Sequence, residues 1–210
     1  MSETCVIVLG NMDDAVGLDK EVDYIGADRG AFLLAQKGIH FSYAIGDFDS
    51  VTEMEMDRIQ EFAGHVIRLN PIKADTDAKL AVDLALAQDY KEIHILGGLG
   101  GRLDHELVNE RLCYLNPGIV TLHDGQNTIF ASKENVLFHQ KKGYISFFTF
   151  ETACISLQGF AYPLVHQSLT ALDLYTVSNE LCEEEGELIV HSGCVLVMES
   201  KDRKKSAHSV

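Results

Sequence analysis

The chain has 210 residues, and its 32 acidic against 17 basic side chains leave a formal net charge of −15 at pH 7. With 46% apolar and 23% charged residues, its composition is that of a folded globular protein rather than a disordered one. The negative charge argues against the backbone of nucleic acid as a partner, and no apolar stretch approaches the ~20 residues that span a bilayer.

The start of the chain and its cysteines favour a cytoplasmic location. Residues 1–4 are acidic and run straight into a predicted strand, which is not the pattern of a signal peptide. The cysteines are odd in number and form no CxxC pair and no zinc-type pattern with histidine. We therefore expect buried, reduced thiols at Cys5, Cys113, Cys154, Cys182 and Cys194.

The first part of the chain alternates short apolar runs with helix-like stretches, which predicts a three-layer α/β domain with a mostly parallel sheet. The predicted strands are Val6–Leu9, Val22–Ala27, Tyr43–Ile45, Val66–Leu69, Ile93–Leu96 and Ile119–Leu122. Helices are expected over residues 78–88 and 103–115. Their predicted apolar faces consist of Leu80, Ala81, Leu84 and Ala85, and of Leu103, Leu107, Leu112 and Leu115.

After residue 125 the helical periodicity fades, and short β-rich segments separated by glycine or polar residues predict a small antiparallel sandwich or barrel. The predicted strands are Thr128–Ala131, Val136–His139, Ile145–Phe150, Ile155–Leu157, Leu188–His191 and Val195–Glu199. We place the domain boundary so that residues 1–126 form the first domain and 127–210 the second. The polar, basic tail from Lys201 is expected to be frayed.

Acidic side chains follow several of the predicted parallel strands, where open α/β sheets bind their ligands. Asp28 follows the second strand, and Asp47 and Asp49 follow the third. Asp77 opens the helix over 78–88, and Asp104 follows the fifth strand. Carboxylates brought together repel one another, and a hard divalent cation such as Mg²⁺ relieves that repulsion.

Each of these segments also has a purely structural interpretation. The segment 47–50 taken alone is a polar turn with Phe48 in the core, and Thr76 with Asp77 is a helix N-cap. The glycines of 97–101 can serve a turn with positive φ. Four glycines in five residues before Arg102 and a helix point more strongly to backbone amides that bind an anion.

Two common phosphate-binding motifs are absent from the sequence. It contains no GxxxxGK[ST], so the chain is not a P-loop protein. The run from Gly98 to Leu103 lacks the third glycine of the dinucleotide fingerprint, which argues against a nicotinamide enzyme.

Taken together, these segments resemble the thiamine pyrophosphokinase family, and the resemblance covers nearly the whole chain in the right order. In the first half it rests on Asp28-Arg29-Gly30, Gly46-Asp47-Phe48-Asp49-Ser50, Lys73-x-x-Thr76-Asp77, and Gly97-Gly98-x-Gly100-Gly101-Arg102-x-Asp104-His105 with Asn109. In the second half it rests on residues 159–164 and 177–180.

The resemblance implies transfer of the pyrophosphoryl group from ATP to the thiamine hydroxyl, which leaves AMP. It also implies Mg²⁺, a first domain that binds the nucleotide, and a second domain that binds thiamine and forms a homodimer with the thiamine site at the interface. It implies no nucleic acid and no membrane.

Carried over by position, the resemblance assigns roles to individual residues. It makes Asp47, Asp49 and Asp77 the metal ligands, with Asp28 near the same site. The residues implied to line the nucleotide are Thr76, Arg102, Asp104, His105 and Asn127. Ser178 and Asn179 are implied to contact thiamine. Either Asp77 or Asp104 would accept the proton of the substrate hydroxyl.

Some positions depart from the family pattern. Ala74 stands where an acidic residue usually follows the lysine, with Asp75 as a substitute, and Asn11 stands where a second glycine is common. Without tryptophan, any stacking on the rings of thiamine must come from Tyr or Phe. None of these departures removes an implied metal ligand.

Three alternatives remain open at this stage. A Mg²⁺-dependent phosphohydrolase would use Asp47 or Asp49 as a covalent nucleophile. A non-catalytic nucleotide or thiamine sensor would keep the fold, although it has little use for so many carboxylates. The second domain alone would also be consistent with a packing module in which Ser178 and Asn179 form a plain turn.

Overall fold

The computed structural model of the chain describes residues 3–12, 17–19, 22–70, 75–139 and 143–202. Lys73 and Ala74 of the family motif, and residues 203–210 of the tail, lie outside the described residues. The chain divides into two compact units, residues 1–125 and 126–210. No helix in the described ranges is long and apolar enough to cross a membrane.

The first unit is an α/β fold, as predicted, in which every pair of neighbouring strands is parallel. Its elements are β1 (Thr4–Val8), β2 (Asp23–Ala27), α1 (Arg29–Gln36), β3 (Phe41–Gly46), α2 (Glu53–Phe62), β4 (Ala63–Arg68), α3 (Asp77–Ala87), β5 (Glu92–Leu96), α4 (Leu103–Leu115) and β6 (Val120–His123). The strand order is β4-β3-β2-β1-β5-β6. The carboxyl ends of β1, β2, β3 and β5 therefore lie side by side at one edge of the sheet.

Helices cover both faces of this sheet and make it three-layered. Val6 and Val8 of β1 pack into one core with Leu34 of α1 and Ile59 of α2. Because side chains alternate along a strand, Ile7 points to the opposite face, and it is fully buried. The helices α3 and α4 contact each other, and α3 packs on β1, β2 and β3 while α4 packs on β6.

Helix α4 has the predicted bounds, but of the four leucines on its predicted apolar face only Leu112 is buried. Leu103 and Leu115 are 79% and 68% exposed, and Leu107 is exposed as well. Beside Leu112 the helix buries Asn109 and Cys113. Because the polar Asn109 is on the buried face and three leucines are on the solvent face, leucine spacing alone does not predict which face of α4 is buried.

The second unit is the predicted antiparallel β unit, with two sheets that share one core. Its strands are β7 (Asn127–Ser132), β8 (Val136–His139), β9 (Tyr144–Phe148), β10 (Thr152–Gln158), β11 (Leu164–Thr170), β12 (Glu185–Gly193) and β13 (Val195–Ser200). One sheet has the order β7-β13-β9 and the other β11-β10-β12-β8. Phe147 and Val197 of the first sheet pack in the same core as Ile155, Leu157 and Leu188 of the second.

The strand β11 has no counterpart in the sequence prediction. Among the described strands it pairs only with β10, and of its seven residues Leu169 alone is buried. Since an edge strand with two polar faces shows no apolar alternation, the sequence carries little signal for it.

The cysteines are not all buried as expected. Cys5, Cys113 and Cys194 are buried, but Cys154 is half-buried and Cys182 is exposed. Burial raises the pKa of the Cys5 and Cys113 thiols to about 12, which makes both inert as nucleophiles at neutral pH.

Candidate active site at the carboxyl edge of the parallel sheet

Asp28 joins the ends of two neighbouring strands. It follows β2 and is the N-cap residue of α1, with an unusual backbone conformation of φ 46° and ψ −118°. Its N–H donates to the carbonyl of Ile45, the residue before the end of β3. Its Oδ1 accepts the N–H of Phe48 at 3.1 Å. Asp28 thereby fixes the loop that follows β3.

Gly46, the last residue of β3, makes this contact possible. A Cβ atom at this position would lie 1.9 Å from Oδ1 of Asp28, and its φ of 156° also disfavours other residues. Any larger side chain at residue 46 would push the Asp28 carboxylate out of place.

The loop after Gly46 carries a buried phenylalanine between two aspartates in the chain. Phe48 has a φ of 58° and is buried in the core, and its carbonyl accepts the N–H of Val51. Asp47 is half-buried and its Oδ1 accepts the N–H of Asp49 at 3.2 Å, while Asp49 is exposed. The turn with Phe48 in the core is therefore present, and an aspartate precedes and follows Phe48 in the chain.

Asp77 is the first residue of α3 and lies close to Asp28. Burial is the main reason why the pKa of Asp28 rises to about 7, and the negative charges of Asp77 and then Asp47 raise it further against the effect of the Phe48 N–H. Thr76 acts as the N-cap of α3, since its Oγ1 accepts the N–H of Lys79 at 3.2 Å. The structure thus brings three of the predicted carboxylates, Asp28, Asp47 and Asp77, into one electrostatic neighbourhood.

The glycine-rich segment 97–101 wraps tightly against neighbouring backbone. Gly97 has a φ of 77°, and a Cβ atom there would lie 2.4 Å from the amide nitrogen of Met12. The carbonyl of Gly98 accepts a hydrogen bond from Nδ2 of the buried Asn109 at 2.9 Å. The N–H of Gly101 donates to Oε1 of Glu106 at 2.8 Å.

Arg102 and Asp104 form an exposed ion pair at the start of α4. The Nε and Nη2 atoms of Arg102 donate to the two oxygens of Asp104 at 3.1 and 2.6 Å. This hydrogen-bonded pairing is the first cause that lowers the pKa of Asp104, to about 2. A carboxylate with so low a pKa is a weak proton acceptor at neutral pH.

A cleft of about 460 Å³ opens between these segments. It is lined by Leu9, Gly10, Asn11, Ala27, Asp28, Asp77, Ala78, Gly97, Gly98, Gly101, Arg102, His105, Glu106 and Asn109. Four predicted site residues, Asp28, Asp77, Arg102 and His105, lie on its wall. The other predicted residues of this unit do not line the cleft. Thr76 and Asp104 are adjacent in sequence to lining residues, Asp47 acts electrostatically on Asp28, and Asp49 bonds to Asp47.

The predicted residues of the second unit have structural contacts of their own. Asn127 begins β7 and is paired with Ser200 of β13. Ser178 is exposed with a φ of 56°, and its N–H donates to Oγ of Ser146. Asn179 is buried, its Oδ1 accepts the N–H groups of Tyr162 and Glu180, and its Nδ2 donates to the carbonyl of Tyr162.

Sequence reasoning missed two polar residues of the cleft wall. Asn11 lies against Gly101, and it follows β1 at the same edge as the aspartates, so the strand-end rule would have found it. Glu106 lies one turn into α4, and no motif pointed to it.

The donor chemistry of the site suits Mg²⁺, although the described side chains do not form a complete cage. Carboxylate oxygens are the ligands that this ion prefers, and a cation relieves the repulsion by Asp77 and Asp47 that adds to burial in raising the pKa of Asp28. Among the described residues no three His, Cys, Asp or Glu side chains are grouped closely enough to hold a metal alone. Mg²⁺ commonly takes one or two carboxylates together with substrate phosphates, so the residues present fit such a shared site.

The fold and the cleft define an α/β protein that places carboxylates opposite a glycine-rich helix N-terminus, an arrangement typical of enzymes that handle phosphorylated ligands. Comparisons with known proteins narrow this class. A family model described as "Thiamin pyrophosphokinase, catalytic domain" matches residues 18–120, and one described as "Thiamin pyrophosphokinase, vitamin B1 binding domain" matches residues 126–195.

Individual relatives agree with the family models. The thiamine pyrophosphokinase of Bacillus subtilis (strain 168) is 36% identical over 194 residues, which cover 88% of this chain and 90% of that protein. A crystal structure of thiamine pyrophosphokinase from Bacillus subtilis aligns with a TM-score of 0.84 and 34% identity, covering 95% of this chain and 99% of that one. One from Geobacillus thermodenitrificans aligns with a TM-score of 0.81 and 27% identity, over 96% and 99% of the two chains. The chain therefore belongs to the thiamin pyrophosphokinase family and is an enzyme of this type, a transferase of the kinase kind.

Proposed function

We propose that this enzyme transfers the pyrophosphoryl group of ATP to the hydroxyl oxygen of thiamine, giving thiamine diphosphate and AMP. The observation that carries the proposal is the cleft in which Asp28 and Asp77 face the glycine-rich segment 97–101 and Arg102. Backbone N–H groups at the N-terminus of α4 suit phosphate oxygens. The matches to both family models and the Bacillus subtilis relative supply the substrate class.

In this reaction the thiamine hydroxyl oxygen bonds to the β-phosphorus of ATP, and the bond from that phosphorus to the oxygen bridging to the α-phosphate breaks. AMP leaves with the bridging oxygen, and the hydroxyl proton passes to a carboxylate. Asp77 suits this role better than Asp104 by position, because Asp77 lines the cleft while Asp104 lies outside its lining and is bonded to Arg102.

Asp47, Asp49 and Asp77 are the residues that would hold Mg²⁺. When bound, this ion neutralises charge on the phosphate oxygens during transfer. Asp28 supports these ligands by holding the loop at Phe48, and Arg102 with His105 would contact the phosphates from the start of α4. Thr76 would contribute by capping α3, and Asp104 would contribute by orienting Arg102 through their ion pair.

We assign nucleotide binding to the first unit, and thiamine binding through Ser178 and Asn179, together with homodimer formation, to the second. Support for a homodimer comes from exposed apolar side chains in this unit, since surfaces of that kind are typical of interfaces. They are Leu137, Tyr162, Val165, Leu172, Leu174, Tyr175 and Val177, with exposed fractions from 51% to 88%. Asn127, the first residue of β7, stays a predicted nucleotide contact.

The first test is to incubate the purified protein with ATP, Mg²⁺ and thiamine and to follow AMP formation with and without thiamine. AMP that depends on thiamine supports the proposal. Phosphate release that ignores thiamine would support the phosphohydrolase alternative instead. ATP binding without any turnover would support a sensor.

Replacing Asp47 or Asp49 by Asn tests the metal-binding role. We expect thiamine-dependent AMP formation to fall by a factor of about 10² or more, because a neutral amide is a poor ligand for Mg²⁺. The fold should survive, since Asp49 is exposed and Asp47 half-buried. Asp57→Asn, an exposed change in α2, is the matched control for loss of one negative charge. Normal turnover in both Asp47→Asn and Asp49→Asn would refute the assignment.

A further inference from the structure

The N–H of Gly101 is engaged by a carboxylate of the chain itself. Gly101 is the last residue of the glycine-rich segment, and its N–H donates to Oε1 of Glu106 at 2.8 Å. Glu106 is half-buried in the first turn of α4, and both residues lie on the wall of the cleft. The neighbouring donor group, the Arg102 guanidinium, is likewise bonded to a carboxylate, that of Asp104.

This carboxylate occupies the kind of position that a phosphate oxygen takes. Backbone N–H groups at a helix N-terminus bind anions because the donors and the helix dipole point the same way. A hydrogen bond from such an N–H to a charged oxygen is stronger than one to a neutral oxygen. Glu106 therefore holds Gly101 with a bond of the same chemical kind that a ligand phosphate would form.

A phosphate oxygen that takes the Gly101 N–H has to displace Glu106. The displaced carboxylate stays close to a bound anion, because the backbone of α4 fixes its position next to the cleft. The cleft wall also carries Asp28 and Asp77, so the charge of Glu106 adds to an acidic surface. Both the lost hydrogen bond and the added repulsion oppose phosphate binding.

We propose that Glu106 competes with the phosphates of the nucleotide for the Gly101 N–H and so weakens nucleotide binding. The proposal rests on the proposed function, since it concerns the same cleft and the same substrate. Glu106 is in this sense an affinity-determining residue: it sets how tightly Mg²⁺-ATP binds without touching the group that is transferred.

The test is the dissociation constant of Mg²⁺-ATP measured by calorimetry for the full-length protein and for Glu106→Gln. A neutral amide competes less well for the N–H and removes the repulsion, so we expect the constant to fall about five- to tenfold. An unchanged dissociation constant for Glu106→Gln would overturn the proposal. A higher constant would also overturn it, because Glu106 would then stabilise the conformation of residues 97–101 that binds the nucleotide.

Glu110→Gln is the matched control. Glu110 lies one turn further along α4, and the substitution removes a carboxylate of the same kind. Among the described contacts, Glu110 has no bond to the glycine-rich segment. Its pKa is raised by burial and, to a smaller extent, by Glu106. We expect its Mg²⁺-ATP constant to change less than twofold. An equal effect of both variants would indicate a general charge effect and would also overturn the proposal.

Two further measurements separate the possible failures. If Glu106→Gln does not fold, as judged by circular dichroism, Glu106→Ala replaces it, because alanine carries no carboxylate to compete for the Gly101 N–H and should also lower the constant. If the unmodified protein binds no ATP and forms no AMP with thiamine, the proposed function fails. If it does both and the Glu106 variants bind ATP no more tightly, only this inference fails.

Discussion

Asp28 shows how one residue serves both the backbone and the site. Its carboxylate accepts the N–H of Phe48 and so orients the loop with Asp47 and Asp49, yet it lies beside Asp77 in a partly buried position. Burial and the neighbouring negative charges outweigh the hydrogen bond, and the pKa of Asp28 rises from 3.8 to about 7. The ionised form of Asp28 therefore costs stability at neutral pH.

The sign of this effect predicts a pH dependence. Because the pKa of Asp28 is higher in the folded than in the unfolded chain, the stability that its protonated form provides is lost as the pH rises through about 7. From pH 5 to pH 8 the unmodified protein should therefore lose stability that Asp28→Asn keeps. We expect the free energy of unfolding of Asp28→Asn, relative to that of the unmodified protein, to be about 2 kcal/mol more favourable at pH 8 than at pH 5, after a discount for partial exposure. Urea denaturation at both pH values, in buffer with EDTA, measures this difference.

Asp57→Asn serves again as the control, since this exposed residue of α2 has no place in the cleft. Its stability relative to the unmodified protein should stay the same at pH 5 and pH 8. A constant difference between Asp28→Asn and the unmodified protein at the two pH values would show that Asp28 does not titrate in this range.

At the scale of elements, Asn179 ties together segments that are far apart in sequence. Its backbone pairs with Ile145 of β9 through two hydrogen bonds of 2.8 and 3.0 Å. Its side chain bonds both backbone groups of Tyr162, at 3.0 and 2.9 Å. The buried Asn179 therefore holds the segment around residues 159–163 against the strand β9.

Replacing Asn179 by Ala should affect both stability and thiamine use. We expect a loss of about 2–4 kcal/mol in the free energy of unfolding, because the buried Asn179 side chain makes three hydrogen bonds to the backbone of Tyr162 and Glu180, and all three are lost. If this segment contributes to the thiamine site, the apparent KM for thiamine should rise far more than that for ATP. Denaturant titration and steady-state kinetics measure the two effects.

Asn135→Ala is a suitable comparison, because Asn135 is an exposed residue of the same unit whose side chain also accepts a backbone N–H, that of Val190. It should cost less than about 1 kcal/mol. If both KM values of Asn179→Ala equal those of the unmodified protein, the thiamine assignment of Asn179 is wrong, and its role is purely structural.

At the scale of the whole molecule, a chain with a net charge of −15 nevertheless exposes several large apolar side chains. Those of the second unit are concentrated between Tyr162 and Val177, with Leu172 at 88% and Leu174 at 77% exposed. Charge of one sign opposes self-association, so an association of two copies would have to be driven by apolar area.

The proposed homodimer predicts a defined mass and a defined way to break it. Light scattering should give twice the chain mass of 23.2 kDa for the unmodified protein. The double variant Leu172→Asp/Leu174→Asp should elute as a monomer, because it places four charges in a two-fold interface. Met54→Asp, an equally exposed apolar position of α2 in the first unit, should leave the dimer intact. A monomeric unmodified protein, or a dimer that survives the double variant, would contradict the proposal.

The class of fold was predictable from the sequence because alternating apolar runs and helical periodicity are local properties. The predicted strands also placed acidic residues at the carboxyl ends of the sheet, and the structure has them there: Asp28 follows β2 and Asp47 follows β3. Prediction failed where local pattern and burial disagree. Leu103, Leu107 and Leu115 of α4 have helical spacing but face solvent, and the edge strand β11 lacks an apolar face.

The sequence by itself determined the family, the parallel and antiparallel halves, and the set of acidic and glycine-rich segments, because these depend on residue type and spacing along the chain. Only the tertiary structure decided which of these residues share a cleft: it placed Asp28 and Asp77 on the wall and left Asp104 in an ion pair with Arg102. It also revealed Glu106, whose contact with Gly101 depends on how the glycine-rich segment folds over α4. Hydrogen bonds and pKa values depend on distances in space, and these arise only when the sheet brings separate strand ends together.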